Sequence, residues 1–445
     1  MLPLAAALLL SLPALQQQPD DGRGQGLFDS AWHAGRRADL MARLEDGVIV
    51  LRGAPTQNDY REFRQDNNFW YFTGVTTPDA AIILVPKTGE QHFFAPPANP
   101  GLEKWLGDLI DPDEGAALTG IANAHPLADF EKVLAQLAKK HKTVYLQAQP
   151  AENWMMSRDN LQGALRTQVS DAFDGRSSRE GQFKRQVEEK LGAKTKDITV
   201  LLDAMRIVKT PAEAEAMRNA CRISGLAHQA VLRTARAGMF EWQLGTRMTG
   251  SMLENGAMGP AYMAIVGTGP NANVLHYSAN NRKLAADDLV LIDYGAEYNH
   301  YVADITRTWP VSGKFSARQR EVYQAVYDAQ EAAFALCKPG ATLADMERAA
   351  GAVIRERGFG RMVHGVSHWL GMATHDVGAP FAKFEPGMVF TVEPGVYLPD
   401  EGFGVRIEDV VLITEDGYEL LSRMIPRSIE DIEALRAEAL GSAGR

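Results

Sequence analysis

DYGAEYNHYVADITRTWP, residues 293–310, carries two carboxylates, Asp293 and Asp304, in a stretch that otherwise reads as sheet. The runs LVLIDYG and YVADITRTW are β-branched and aromatic around a short polar segment, which predicts a β-hairpin with its tip between Tyr298 and Asn299. In that register Asp293 and Asp304 stand opposite each other on one face. Directly opposed carboxylates, with Cβ atoms about 5 Å apart, repel and destabilise a hairpin unless one is protonated or a cation lies between them. The pair asks for a cation, unless the register differs and the two acids are solvated; further ligands elsewhere decide between these readings.

Two more acids sit in the same kind of context. Glu393 interrupts the apolar run MVFTVEPGVYL just before a Pro-Gly turn, and Glu408 is embedded in FGVRIEDVVLIT. Acids are almost never fully buried unless paired or bound to metal, so four of them in strand contexts need one shared explanation. Four of the ten histidines fall in two nearby stretches: His276 in GTGPNANVLHYSANN, and His364, His368 and His375 in VHGVSHWLGMATHDVG. The HxxxH spacing at 364 and 368 is not a zincin helix, because no Glu follows the first His and Gly365 with Val366 disfavours helix. Nor is GTGPNA a dinucleotide loop, since Pro270 sits inside it and no helix follows. Four carboxylates and one imidazole form an oxygen-rich ligand set that suits Mn, Co, Fe or Zn and disfavours Cu(I). With two carboxylates bridging, it can hold two ions about 3.5 to 4 Å apart.

The rest of the chain frames this cluster. A length of 445 residues argues for two domains, the composition, 45% hydrophobic and 23% charged, is that of a soluble globular protein, and helix-like and strand-like stretches both occur, as in an α/β (α+β) fold. A net charge of −10 argues against a nucleic-acid partner. The apolar core Leu2–Leu15 is too short to span a bilayer and suits a signal peptide over residues 1–25, which makes the protein secreted or periplasmic, or cytoplasmic if that segment is a buried helix instead. Residues 27–178 alternate strands (VIVLRG, AAIILVP, KTGEQHFFAP, TVYLQAQ) with a helix at LADFEKVLAQLAKKH, so they read as an α/β unit. The polar stretch within 179–205 reads as a connection, and 206–435 as the unit that carries the chemistry. There, a helix opens at Thr210 with Pro211 and Glu213 completing a capping box, and a second helix spans Glu241 to Glu254. The plan repeats from Ser316, with Gln319 in capping-box spacing, then a second helix at TLADMERAAGAVIRERGFG. Two helices followed by sheet, twice, suggest a duplication with a site between the halves. Cys221 and Cys337 form no metal-like spacing, and whether they pair is not readable.

DYGAEYNHYVADITRTWP, HGVSHWLGMATHDVG, TVEPGVY and GVRIEDVVLIT, in this order, resemble the pita-bread metallopeptidases, and among them the aminopeptidase P (Xaa-Pro aminopeptidase) family. RQDNNFWYFTGVTTPDAAIILVP is similar to that family's N-terminal domain. The resemblance implies a creatinase/prolidase-like N-terminal α/β domain and a C-terminal pita-bread fold with a pseudo-twofold repeat. It implies five metal ligands, Asp293, Asp304, His368, Glu393 and Glu408, with Asp304 and Glu408 bridging two divalent ions, Mn2+ foremost and Co2+ or Zn2+ as alternatives. It makes His276, His364 and His375 active-site histidines that are not ligands. The implied reaction is release of the first residue from peptides with proline second. A water bridging the two ions loses its proton near neutral pH, Glu393 moves that proton, and His375 and His276 hold the substrate and oxyanion while His364 lines the proline side. Arg406, two residues before Glu408, is expected either to orient substrate or brace the site, or to form no more than a surface ion pair. GMAT before His375 departs from the family's usual Leu-Asp-Val type of sequence without removing a ligand. A homo-oligomer, dimer or tetramer, is implied as well. Prolidase activity on Xaa-Pro dipeptides and an inactive binding protein of the same fold are the rival readings, and SHWLG with Trp369 favours aminopeptidase P.

Overall fold

A computed structural model describes residues 26–57, 60, 62–152 and 154–442; the leader expected at 1–25 lies outside them. The N-terminal half runs α1 (Ser30–Ala42), β1 (Val48–Arg52), α2 (Asn67–Thr73), β2 (Ala81–Val85), β3 (Glu90–Ala95), α3 (Pro100–Leu106), α4 (Pro112–Thr119), β4 (Asn123–Pro126), α5 (Phe130–His141), β5 (Thr143–Leu146), α6 (Arg158–Ser170), α7 (Arg179–Leu191), β6 (Lys194–Asp197) and α8 (Thr199–Arg206). Its six strands form one sheet in the order β4-β3-β2-β1-β5-β6. The β1–β2 and β2–β3 pairs are antiparallel; β3–β4, β1–β5 and β5–β6 are parallel.

Why the central strands read as unbroken apolar runs is then plain, because both faces of the sheet are covered. Val48, Val50 and Ile83 pack with Leu134, Leu137 and Val187 on one side, and Ile49, Leu51, Ile82 and Leu84 join the large core shared with the C-terminal half on the other. One expectation is corrected here. The polar stretch read as a connection contains α7 and the edge strand β6, which pairs with β5 from Lys194 to Asp197. α7 buries only Val187, a stripe too thin to show as helical periodicity in the sequence.

The C-terminal half holds α9 (Pro211–Thr234) and α10 (Glu241–Glu254), then β7 (Gly259–Pro260), β8 (Ile265–Thr268), β9 (Leu289–Asp293), β10 (Ala296–Tyr298), β11 (Tyr301–Val302) and β12 (Thr306–Pro310). The second set is α11 (Ala317–Phe334), α12 (Leu343–Glu356), β13 (Val389–Val392), β14 (Gly395–Leu398), β15 (Phe403–Arg406), β16 (Asp409–Ile413), β17 (Tyr418–Leu420) and α13 (Ile429–Ser442). The capping boxes at Thr210/Glu213 and Ser316/Gln319 form as their spacing predicts. Each helix pair is followed by an antiparallel hairpin, β9 with β12 and β13 with β16, so the two-helices-then-sheet plan recurs in the structure. The hairpins meet where the Glu408 N–H donates to the Thr306 carbonyl at 3.0 Å.

The first hairpin differs in register from the expectation. Tyr298 pairs with Tyr301, and the tip is Asn299–His300, both at positive φ (49° and 64°), as a tight two-residue turn requires. Asp293 therefore stands opposite Thr306, not Asp304. The ladder is pinched at Gly295, where a Cβ would lie 1.8 Å from the Ala303 carbonyl oxygen. Both cysteines are free and buried. Among the described residues no helix is long and apolar enough to cross a membrane.

Candidate metal centre

Four carboxylates and one imidazole converge where the two hairpins meet. Asp293 ends β9, Asp304 precedes β12, Glu393 follows β13 and Glu408 lies between β15 and β16. His368 comes from an extended segment beside β13, fixed by backbone bonds from Leu370 to Val389, Thr391 to His368 and Glu393 to Val366. This edge pairing, not a helix, delivers the histidine. Its Nδ1 faces the Trp369 carbonyl at 3.2 Å, which only accepts, so in the neutral ring Nδ1 carries the proton and Nε2 is turned to the carboxylates.

From Nε2, carboxylate oxygens of Asp304 and Glu393 lie at 3.4 Å and one of Glu408 at 3.8 Å. These separations are long for hydrogen bonds and match atoms that share a cation through bonds of about 2.1 Å. Ligand atoms of Asp304, His368 and Glu408 all fall within 4.8 Å of one another. Asp304 and Glu408 are 4% and 1% exposed.

The electrostatics ask for positive charge. Burial, then the neighbouring carboxylates Asp304, Glu393 and Asp293, pushes Glu408 far above the ordinary carboxylate range. Burial likewise raises Glu393 and Asp293, against the pull of His368 on the first and Arg406 on both. Burial also works to raise Asp304, but the His368 ring beside it holds it low. His368, although burial opposes its charge, is pushed up to about 9 by Asp304 and Glu393. One imidazole ring and one guanidinium thus face four acids, and the donor set fits divalent cations.

Three residues absent from the sequence reading complete the shell. The Tyr262 hydroxyl lies 2.7 Å from Asp293 Oδ1 and 2.5 Å from Asp304 Oδ1. Having one proton, it satisfies one oxygen at a time. Thr306 donates to Glu408 Oε2 at 2.8 Å. Tyr397 accepts from Arg406 Nη1 at 2.8 Å and lies 2.8 Å from His364 Nε2. Nothing in the local sequence marks them, since their partners come from 9 to 102 positions away.

Arg406 is 3% exposed, and its Nη2 donates to Asp293 Oδ2 at 2.6 Å while Nε donates to Thr306 at 3.1 Å. All its nitrogens are engaged behind the acids, so it braces Asp293. His364 donates from Nδ1 to the Gly365 carbonyl at 2.8 Å and accepts from Tyr397; burial holds it down to about 4. The His375 ring lies 4.1 Å from that of His368, and its Nδ1 faces Asp159 Oδ2 at 2.9 Å. His276 is exposed, near enough to His364 to disfavour its charge. All nine sequence candidates therefore gather around one cleft, Arg406 at its back and His276 at its rim.

Comparison with known proteins agrees with this geometry. Residues 215–415 match metallopeptidase family M24, and 33–145 match the aminopeptidase P N-terminal domain. The chain is 34% identical to the Xaa-Pro aminopeptidase of Haemophilus influenzae, an alignment covering 90% of this chain and 96% of that one. The chain belongs to the aminopeptidase P family. The Escherichia coli Xaa-Pro aminopeptidase is 32% identical over 91% of this chain and 97% of its own. Among solved aminopeptidase P structures, that of Pseudomonas aeruginosa superposes with a TM-score of 0.79 at 31% identity, covering 93% of this chain and 99% of the other. The Escherichia coli enzyme with the inhibitor Pro-Leu superposes with a TM-score of 0.79 at 30% identity over the same shares. The family's pita-bread fold accounts for the paired hairpins.

Proposed function

We propose that this protein is a metal-dependent aminopeptidase that removes the N-terminal residue from peptides with proline in the second position. The observation that carries the reading is the buried convergence of Asp293, Asp304, Glu393, Glu408 and His368 in a chain of this family. We further propose a dinuclear centre that Asp293, Asp304, His368, Glu393 and Glu408 would hold. Two divalent ions, Mn2+ foremost with Co2+ or Zn2+ as alternatives, would lower the pKa of a shared water and so supply the nucleophile.

The chain's own residues do the rest. Glu393, with its oxygens 3.4 Å from His368 Nε2 and 3.7 Å from His364 Nδ1, lies on the open side of the cluster and can take the water's proton and return it to the leaving nitrogen. His375 and His276 flank the cleft where a substrate carbonyl would lie, and His364 with Tyr397 lines the side assigned to the proline ring. An Xaa-Pro bond lacks an N–H and has its φ locked, so recognition through extended backbone hydrogen bonds fails and a ring-shaped pocket is needed. The apolar segment Leu2–Leu15 supports export to a secreted or periplasmic location, and the exposed Trp105 and Leu106 of α3 offer apolar surface for a homo-oligomer.

The test is chelator-stripped protein reloaded with Mn2+ and offered an Xaa-Pro-Yaa tripeptide, the matching Xaa-Pro dipeptide and an Xaa-Ala-Yaa control. Metal-dependent release of the first residue from the Pro tripeptide is expected. Cleavage of the dipeptide alone makes it a prolidase, and bound metal without cleavage makes it a binding protein.

A further inference from the structure

His375 is held from across the molecule. Its partner Asp159 is the second residue of α6, 216 positions earlier and in the N-terminal half. Asp159 is itself oriented: Oδ1 accepts from the Ser157 hydroxyl at 2.6 Å and the Asn160 N–H at 2.8 Å, which leaves Oδ2 for the imidazole. The backbone is pinned at the same place, because the Arg158 N–H donates to the His375 carbonyl at 3.0 Å. The next residue, Asp376, accepts from the Met372 N–H at 3.1 Å and pairs with the buried Arg206 of α8. Ring and loop are thus both set by segments outside the paired hairpins.

A carboxylate only accepts, so the proton of a neutral His375 sits on Nδ1. Nε2 is the nitrogen left for a ligand, on a ring packed against that of His368. Asp159 and His375 share the wall of a 740 Å³ cavity that opens from His368 between α6 and α12. We propose that Asp159 is a positioning residue for His375, fixing its ring rotation and its proton-bearing nitrogen so that Nε2 faces the bound peptide. The N-terminal half thereby supplies part of the reaction geometry. The inference rests on the aminopeptidase reading given above.

The experiment compares full-length wild type, Asp159→Ala, Asp159→Asn, His375→Gln and the Asp159→Ala/His375→Gln double variant. Each is loaded with metal, with stoichiometry and melting temperature measured first. Asp159 is 61% exposed, so folding and metal content are expected to hold. On the Pro tripeptide, Asp159→Ala lowers kcat by about tenfold with KM nearly unchanged, the usual scale for removing an outer partner of an active-site histidine. Asp159→Asn, which keeps an accepting oxygen, recovers part of the loss. In the His375→Gln background the same Ala substitution costs less than about twofold, because the two act as one unit. Histidine-selective ¹⁵N spectra of the zinc-loaded protein read the position directly: His375 is the Nδ1–H tautomer in wild type and a mixture in Asp159→Ala.

Unchanged kcat in Asp159→Ala, an equal loss in both backgrounds, or an unchanged tautomer overturns the proposal. A wild type inactive on every peptide, with the tautomer shift still present, overturns the peptidase reading and leaves the positioning intact.

Discussion

Glu408 shows what the site costs the fold. Its carboxyl is buried against Asp304, Glu393 and Asp293, which pushes it far above the ordinary glutamate range. In metal-free protein at neutral pH, the folded state must therefore hold a proton that the unfolded chain does not. Glu408→Gln removes that penalty while keeping an oxygen to accept from Thr306. The expected result is a metal-free protein more stable by on the order of 2 kcal/mol at pH 8, with metal binding and turnover lost. The gain is present above the ordinary glutamate pKa and vanishes below it, so calorimetry of both chelated proteins at pH 8 and pH 4 checks the sign. Tyr262 is the complementary case. Tyr262→Phe removes the hydroxyl donor beside Asp293 and Asp304 and leaves the ring. It is expected to weaken metal binding by about tenfold, read by titrating metal into stripped protein, with little change in metal-free stability.

At the scale of elements, Gly295 decides whether the first hairpin can hold Asp293 and Asp304 in place. A Cβ there would meet the Ala303 carbonyl oxygen at 1.8 Å, a backbone atom with no room to move. Gly295→Ala is expected to cost about 3 kcal/mol or more and to lose metal stoichiometry even where the fold survives at low temperature, measured by thermal melts beside metal analysis. This hairpin is also where reading the sequence fell short. The acids were legible, because a charge inside an apolar strand run is a local anomaly, and the helix starts were legible, because Thr210 and Ser316 meet their capping partners three residues on. The register was not, since it depends on which residues accept positive φ. Asn299–His300 does so without the glycine that usually marks such a turn. Tyr262 and Asp159 are illegible for another reason: each acts through a partner that folding brings from a distant segment. α7 and β6 resemble a linker in sequence because their surface is nearly all polar.

Across the whole molecule, the two halves share one core, and its seam is built from ionisable and aromatic groups. Arg206, fully buried, bridges Glu152 and Asp376, and Arg64 meets Glu297 at 2.7 Å. Beside them Trp70 stacks on His300 at the first hairpin's tip, 4.1 Å away, and packs edge-on against His33 of α1. His33 donates from Nδ1 to the Tyr71 carbonyl at 3.1 Å, and burial depresses its pKa to about 4 from an ordinary value of 6.5. His300, buried beside Arg64, is likewise held well below the ordinary histidine range. With a folded pKa below the unfolded one, the unfolded chain takes up protons first. The stability contributed by a neutral His33 is therefore intact above pH 6.5 and is lost as pH falls from 6.5 towards 4. A shift of this size amounts to about 3 kcal/mol at full loss. Buried carboxyls with raised pKa, such as Asp66 at about 6, run the opposite way over part of that range, so the total slope is a mixture. The difference between wild type and His33→Gln isolates one group. Gln does not titrate, so wild type is expected to lose about 2 to 3 kcal/mol relative to the variant between pH 7.5 and pH 4.5, read from denaturant melts at each pH. A constant difference would mean that His33 is solvated and titrates in the folded seam as it does in the unfolded chain, and a difference of the opposite sign would mean that it is held charged there.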